Sequence, residues 1–215
     1  MDIVITEEEI RVLGCLMEKE MATPEYYPMS LNALTNACNQ KSNRDPVTSF
    51  SEETVLSALD GLRKKKLAME SSGSRVPKYA QTFSNELKLS SREEAVICIL
   101  LVRGPQTPGE IRGRTERLYS FSSLEEVLET INGLENMELV KRLPRQPGRK
   151  ESRYAQLLGG EPNETTGDIT EPDNAGSAQT IENKRIDELT HEVDMLREEL
   201  NKIRQEFEAF KAQFG

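Results

Sequence analysis

The sequence predicts a mainly α fold with small β wings, in which two tandem winged helix-turn-helix domains precede a C-terminal coiled-coil helix. Three observations support this prediction: an internal repeat, the order of three helices and a hairpin in each copy, and a heptad pattern near the C-terminus. The predicted units are a first winged-helix domain at 1–84, a second at 85–160, a flexible acidic linker at 161–180 and the coiled-coil helix at 181–215.

The repeat is clearest in the third helix of each copy. An apolar pattern with an internal Gly-Leu pair begins at Val55 and recurs at Val127, a constant offset of 72 residues. Each copy is preceded by Ser-Phe-Ser and followed by Tyr-Ala-Gln, at Tyr79 and at Tyr154. A period of about 75 residues indicates two similar domains rather than a solenoid of short repeats.

Helix signals in the first copy begin at Thr6, which forms a capping box with Glu9. Apolar residues at helical spacing follow. A short second helix is expected at 31–38, and Ser51 precedes a third helix that reaches Lys66. The second copy predicts helices near 91–103, 108–116 and 123–137. In each copy two short apolar runs then flank a turn-rich segment, at 67–81 and at 139–157, which predicts a hairpin.

Composition limits the class of protein. Hydrophobic residues make up 36% and charged residues 30% of the 215 residues, so part of the chain is expected outside a packed core. Three scattered cysteines do not suggest a disulfide scaffold. The longest apolar run, 95–102, is far shorter than the roughly 20 residues of a membrane helix, and the acidic N-terminus does not resemble a secretory signal. The expectation is a soluble cytoplasmic protein without a membrane partner.

The net charge of −9 is concentrated near the C-terminus. Residues 1–160 carry a net charge of −1, residues 161–180 carry five acids and no base, and residues 181–215 carry −3. The low overall pI therefore does not exclude nucleic-acid binding by the first 160 residues.

The C-terminal segment shows a heptad seam. Apolar residues alternate at spacings of three and four, and Glu192 and Arg197 begin a series of matched g and e′ charges that favours a parallel dimer. The alternative is an amphipathic helix that packs on the domains of its own chain. The phenylalanine residues at the end of the seam also fit a higher oligomer or a tip that docks on a partner. The predicted dimerisation residues are Ile186, Leu189, Val193, Leu196, Leu200, Ile203, Phe207 and Phe210.

A long Asn-rich stretch from Tyr27 to Val47, together with the opening helix and the wing, resembles the YceH-like family of uncharacterised bacterial proteins. The similarity covers about residues 4–158. It implies a cytoplasmic tandem winged-helix protein. It brings no catalytic residue, cofactor or substrate to transfer to this chain.

DNA contact is suggested by cations on the predicted wings, since winged helices place a wing against the DNA backbone and phosphates attract such cations. The second wing, 141–153, is the strongest basic segment. The candidate nucleic-acid-binding residues are Lys41, Arg44, Lys65, Arg75, Lys78, Lys141, Arg142, Arg145, Arg149, Lys150 and Arg153.

Several of these residues have a structural alternative. The loop that contains Lys41 and Arg44 suits either phosphate binding or a purely structural turn, and Asn39 favours the structural role. Cations near Lys65 also complement the helix dipole at the end of the third helix. The third helices themselves begin with paired carboxylates, at Glu52 and at Glu125. These carboxylates interact favourably with the helix dipole but repel phosphate.

No catalytic motif is present in the sequence. The only histidine, His191, falls on an exposed heptad position, and Cys15, Cys38 and Cys98 lie on apolar helix faces without metal-ligand spacing. We therefore expect no enzyme activity, no cofactor and no metal. Two hypotheses remain: a homodimeric, DNA-associated protein that resembles a transcription regulator, and a protein-interaction scaffold similar to chromosome-condensation accessory subunits.

Overall fold

The computed structural model describes residues 4–71, 76–145 and 151–161, which form seven α-helices and two small antiparallel sheets. The mainly helical class with small β elements is thereby confirmed. All described residues belong to one compact unit, Met1–Thr166. No helix among these residues is long and apolar enough to cross a membrane. The predicted coiled-coil helix, its dimerisation residues and all of the linker beyond Glu161 lie outside the described residues.

The first half contains three helices and a three-stranded sheet. Thr6 caps the first helix through the predicted capping box, and Ser30 and Ser51 cap the next two. The elements are α1 (Glu7–Ala22), β1 (Met29–Ser30), α2 (Leu31–Cys38), α3 (Glu52–Lys64), β2 (Ala68–Ser71) and β3 (Lys78–Gln81).

The second half repeats this order after a short connecting helix. The elements are α4 (Phe83–Leu87), α5 (Ser91–Arg103), α6 (Pro108–Arg114), α7 (Leu124–Asn136), β4 (Val140–Arg142) and β5 (Tyr154–Gln156). The predicted domain boundary between residues 84 and 85 falls inside α4. This five-residue helix has too short a pattern to be recognised in the sequence, and Phe83 anchors it in the core.

The two sheets share one plan. In the first half β3 pairs with both β1 and β2, in the order β1-β3-β2. In the second half β5 pairs with β4, and Tyr154 of β5 also forms an isolated bridge with Gln106. Because Gln106 precedes α6 as β1 precedes α2, the bridge takes the place of β1. Helix, short strand, helix, helix and hairpin therefore occur twice, an order consistent with a winged-helix-like fold.

A buried glutamate explains the glycine in the first copy of the sequence repeat. Glu9 of the α1 capping box lies across Gly61 of α3, where an added Cβ would overlap Glu9 Oε1. In the second half Glu93 of the α5 capping box lies against Gly133 of α7, at 3.4 Å from such a Cβ. Gly61 is therefore needed to admit the carboxylate of Glu9, whereas the space beside Gly133 would accept a Cβ at ordinary van der Waals distance from Glu93.

The two halves share one hydrophobic core, and α1 packs closely against α5. Gly14 and Cys98, which occupy equivalent positions in the two copies, meet at this contact, with 3.6 Å between Cys98 Sγ and the carbonyl oxygen of Gly14. A Cβ on Gly14 would lie 2.8 Å from Leu101 Cβ. The small residue at this position therefore sets the distance between the halves.

Candidate nucleic-acid interface

Arg44 is buried, which contradicts its prediction as a nucleic-acid-binding residue and agrees with the structural alternative. Its side chain is 0% exposed, and its guanidinium spans both carboxylate oxygens of Glu18 at 3.0 and 2.6 Å. The carbonyl oxygens of Ala37 and Asn43 and the amide oxygen of Gln40 accept its remaining N–H bonds. All five donors are used inside the protein, so none is available to an external phosphate.

Glu18 is held ionised by this contact. Burial alone would raise the pKa of Glu18, but the hydrogen bonds and charge of Arg44 outweigh it and place the pKa below its usual range. The pair is therefore a structural ion pair in the first half.

The rest of the loop between α2 and α3 fastens the two halves together. The backbone N–H of Asp45 donates to the carbonyl oxygen of Val102 at the end of α5. Arg11 of α1, which is 4% exposed, donates to the same oxygen at 2.8 Å and to the carbonyl oxygen of Pro46. Burial lowers the pKa of Arg11. The Asn-rich loop thus closes the C-terminal end of α5, where free carbonyls need donors.

Asn39 and Lys41 have different surroundings in this loop. The Asn39 side chain accepts from the backbone N–H of Phe50 at 2.7 Å and donates to the carbonyl oxygen of the same residue at 2.8 Å, which fits the structural role favoured from the sequence. Lys41 is exposed and has no ion pair within the described part of the chain. Only Lys41 keeps the character of a surface cation there.

Some cations of the first half are paired with carboxylates, whereas Lys64 and Lys66 are exposed and have no ion pair among the described residues. Lys65 Nζ lies 2.6 and 2.8 Å from the two carboxylate oxygens of Glu9, 56 residues earlier. Arg63 bridges Asp60 and Glu70. Lys78 is half-buried in the sheet, and Arg75 lies outside the described residues. Of the predicted cations of the first hairpin, Lys65 is therefore engaged by a carboxylate and Lys78 is only partly exposed.

The second hairpin, β4–β5, keeps exposed cations. Arg142 and Arg145 are exposed, and neither forms an ion pair within residues 4–71, 76–145 and 151–161. Lys141 pairs with Glu161 at 2.9 Å, but both side chains are largely exposed, at 47% and 84%. Such an exposed pair contributes about 0–1 kcal/mol and exchanges readily. Arg149 and Lys150 belong to the part of this hairpin that the structure does not describe.

Arg153 connects the hairpin to α6. Its guanidinium donates to Glu110 at 3.1 Å and to the carbonyl oxygen of Pro105 at 2.6 Å. Arg114 of α6 approaches the same Glu110 oxygen at 3.9 Å and also donates to Gln106. Two arginines thus share one carboxylate, which leaves excess positive charge beside the hairpin.

Arg114 was missed from the sequence because a cation in the last turn of a short helix is ordinarily assigned to the dipole. The two cations in the last turn of α6 were the available signal, but only the fold shows that one of them lies beside Arg153. Arg11 and Glu18 were missed for a different reason: their partners lie far along the chain.

Both third helices begin with paired carboxylates, and only α3 also carries cations, in its last turn. Helix α7 contains four Glu and no Lys or Arg. At its start, backbone and Ser123 hydrogen bonds lower the pKa of Glu125. The hydroxyl and backbone of Ser122 and the hydroxyl of Tyr119 lower the pKa of Glu126. Both carboxylates are ionised at neutral pH, so this helix repels the phosphates of a DNA groove.

Nothing in the described segments resembles a metal centre: no group of three His, Cys, Asp or Glu side chains is placed to hold an ion. Cys15, Cys38 and Cys98 are all free and buried. Burial raises the pKa of the Cys98 thiol. They fill space in the core, as expected of small apolar side chains.

Comparison with known proteins identifies the family. The model of the family described as "Protein of unknown function, DUF480" matches residues 5–149. A UPF0502 protein from Geobacter sulfurreducens is 51% identical, and one from Geotalea daltonii is 54% identical, each over the full length of both chains. A UPF0502 protein from Solibacter usitatus is 59% identical over 75% of this chain and 79% of its own. This confirms the resemblance to the YceH-like proteins, and the chain belongs to the DUF480 (UPF0502) family.

Proposed function

We infer that this protein is a non-enzymatic, DNA-associated protein that contacts the duplex backbone through the β4–β5 hairpin. The observation that carries the proposal is the exposure of Arg142 and Arg145, which have no ion pair in the described chain, beside the Arg114–Arg153 pair. Exposed arginines on a hairpin suit phosphate oxygens, which accept hydrogen bonds from the guanidinium fork.

Two tandem winged-helix domains are the architecture that we propose for this function. The repeated order of elements and the matching roles of β1 and Gln106 support it. In this arrangement α3 and α7 hold the position of recognition helices. Because both begin with paired carboxylates, we expect contact with the backbone rather than base reading, and hence modest sequence specificity.

The test is a titration of the full chain with a random 20-base-pair duplex at 50 and 200 mM NaCl, followed by fluorescence anisotropy. Neutralisation of about three phosphates predicts that affinity falls roughly 10- to 100-fold between these salt concentrations. An absence of binding at 50 mM contradicts the proposal.

A protein-interaction scaffold is the second candidate, and the acidic surface of α7 favours it. Exposed Glu125 and Glu129 flank the partly exposed Leu128 on that helix, and no cation of α7 opposes them. A chain that fails to bind DNA at low salt leaves this candidate ahead.

Dimerisation through a parallel coiled coil at 181–215 completes the proposal and rests on the heptad pattern alone. Replacing Leu196 and Ile203 with aspartate in the full chain places charges in the seam and is expected to convert a dimer into a monomer in sedimentation equilibrium. The control is His191→Asp, at an outward heptad position, which should leave the dimer intact. A wild-type chain that sediments as a monomer shows that the coiled-coil prediction is wrong.

A further inference from the structure

We propose that Arg114 and Arg153 form a site that holds one backbone phosphate of the duplex at the base of the β4–β5 hairpin. The inference rests on the proposed function and deepens it, since it adds α6 to the DNA contact. Arg153 Nη2 lies 3.1 Å and Arg114 Nη2 lies 3.9 Å from the same oxygen, Glu110 Oε1. The two nitrogens therefore lie within about 7 Å of each other, a gap that one phosphate can bridge with N–H···O bonds of about 2.9 Å.

Both arginines keep donors for a ligand. Arg153 donates to Glu110 and to the carbonyl oxygen of Pro105, and Arg114 donates to the amide oxygen of Gln106. Within the described part of the chain, these bonds use two of the five N–H donors of Arg153 and one of the five of Arg114. The two side chains are 27% and 35% exposed, so a ligand can approach them from solvent.

Buried Gln106 fixes the position of the site. It is 2% exposed, and its backbone pairs with Tyr154 in both directions, at 3.0 and 2.8 Å. Its side-chain oxygen accepts from Arg114, and its side-chain nitrogen donates to the carbonyl oxygens of Arg103 and Pro105. The hairpin, α6 and the end of α5 are thus joined at one residue. Such preorganisation reduces the entropy lost when a phosphate binds.

The first half folds without an equivalent cluster. Counted from the N-caps of α2 and α6, Ala33 corresponds to Glu110 and Ala37 corresponds to Arg114. Because the same order of helices and strands forms in the first half with alanine at both positions, the fold itself does not require these charges. A role in binding accounts for their presence in the second half.

The first experiment measures binding of the full chain to a random 20-base-pair duplex at 50 and 200 mM NaCl. Arg114→Gln should weaken binding about five- to tenfold at 50 mM NaCl and lower the salt slope by the equivalent of about one phosphate contact. The control is Arg112→Gln, which removes the same charge from the same helix, at a side chain that donates to the carbonyl oxygen of Ser122. The control should change affinity less than about twofold.

Glu110→Gln separates phosphate binding from a purely structural role. The amide oxygen can still accept from the backbone N–H of Thr107, which lies 2.8 Å from the carboxylate, so the helix cap is kept. The substitution removes the charge that competes with phosphate, and binding should tighten about two- to fivefold at 50 mM NaCl. Glu86→Gln, at an exposed carboxylate of α4, is the control and should change affinity less than about twofold. If the cluster only anchors the hairpin, Glu110→Gln weakens binding or leaves it unchanged, and either result overturns the inference.

Inorganic phosphate tests the site without DNA. In an NMR titration of the full chain at constant ionic strength, the side-chain Nε–Hε signals of Arg114 and Arg153 should shift, and the signal of Arg112 should not. Shifts in a chain that does not bind the duplex support the phosphate site and contradict the proposed function. Unchanged signals of Arg114 and Arg153, or an Arg114→Gln variant that binds DNA as the wild type does, overturn the inference.

Discussion

Replacing Arg44 with methionine is expected to lower the free energy of unfolding by about 3–5 kcal/mol at pH 7. The substitution removes the partner of Glu18, whose side chain is only 15% exposed, and leaves a buried carboxylate without compensation. It also removes donors from the carbonyl oxygens of Ala37 and Asn43. Urea unfolding followed by circular dichroism measures the change. Lys41→Met, in the same loop but exposed, should stay within about 0.5 kcal/mol of the wild type.

The stability difference between wild type and Arg44→Met should narrow as the pH falls towards 4. In the wild type the pKa of Glu18 is lowered, so its stabilising contribution is present above the unfolded pKa of about 4.3 and is lost as the pH falls through the folded value. Without Arg44, burial raises that pKa, and protonation relieves the unpaired charge. A difference that is small at pH 7, or that widens in acid, contradicts the assignment of Arg44 to a buried ion pair.

Gly14→Ala is expected to destabilise the protein by about 1–3 kcal/mol, because it overpacks the contact between α1 and α5. The new Cβ would lie 2.8 Å from Leu101 Cβ and 2.9 Å from Val102 Cγ1, both in the helix of the other half. For a unit of this size, each kcal/mol lowers the midpoint of thermal unfolding by about 2–4 °C. Differential scanning calorimetry measures this shift.

Gly113→Ala is the matched control for this substitution. Gly113 lies in α6, and an added Cβ would meet no atom within 4 Å. Alanine has the higher helix propensity, by up to about 1 kcal/mol, so the control should be neutral or slightly stabilising. Equal midpoints for the two variants would show that α1 and α5 do not approach as closely as the structure has them.

Helix positions were predictable because local signals determine them. Thr6, Ser51 and Ser123 each precede a helix and accept a hydrogen bond from its first turn. The isolated bridge at Gln106 could not be predicted, since its partner Tyr154 is 48 residues away and no local pattern marks it. The packing of the two halves into one core escaped prediction for the same reason.

The candidate site was predictable only in part, because a sequence shows where charges are but not which of them are buried or paired. Arg44 and Lys65 appear as surface cations in the sequence, yet Glu18 and Glu9, 26 and 56 residues earlier, pair with them. Arg142 and Arg145 stay exposed because they lie where the second hairpin leaves the core. These differences are the reason that we propose the second hairpin as the site of DNA contact.

The most direct test of this account compares cations of the two halves in one DNA titration. The hairpin variant carries Lys141→Gln, Arg142→Gln and Arg145→Gln, and the first-half variant carries the same change at Lys41, Lys64 and Lys66, all exposed. We predict that the hairpin variant loses most of its affinity for DNA at 50 mM NaCl. The slope of its log affinity against log salt concentration should fall by the equivalent of about three phosphate contacts, whereas the first-half variant binds as the wild type does. Equal losses in both variants, or a loss confined to the first-half variant, would contradict the assignment of DNA contact to the β4–β5 hairpin.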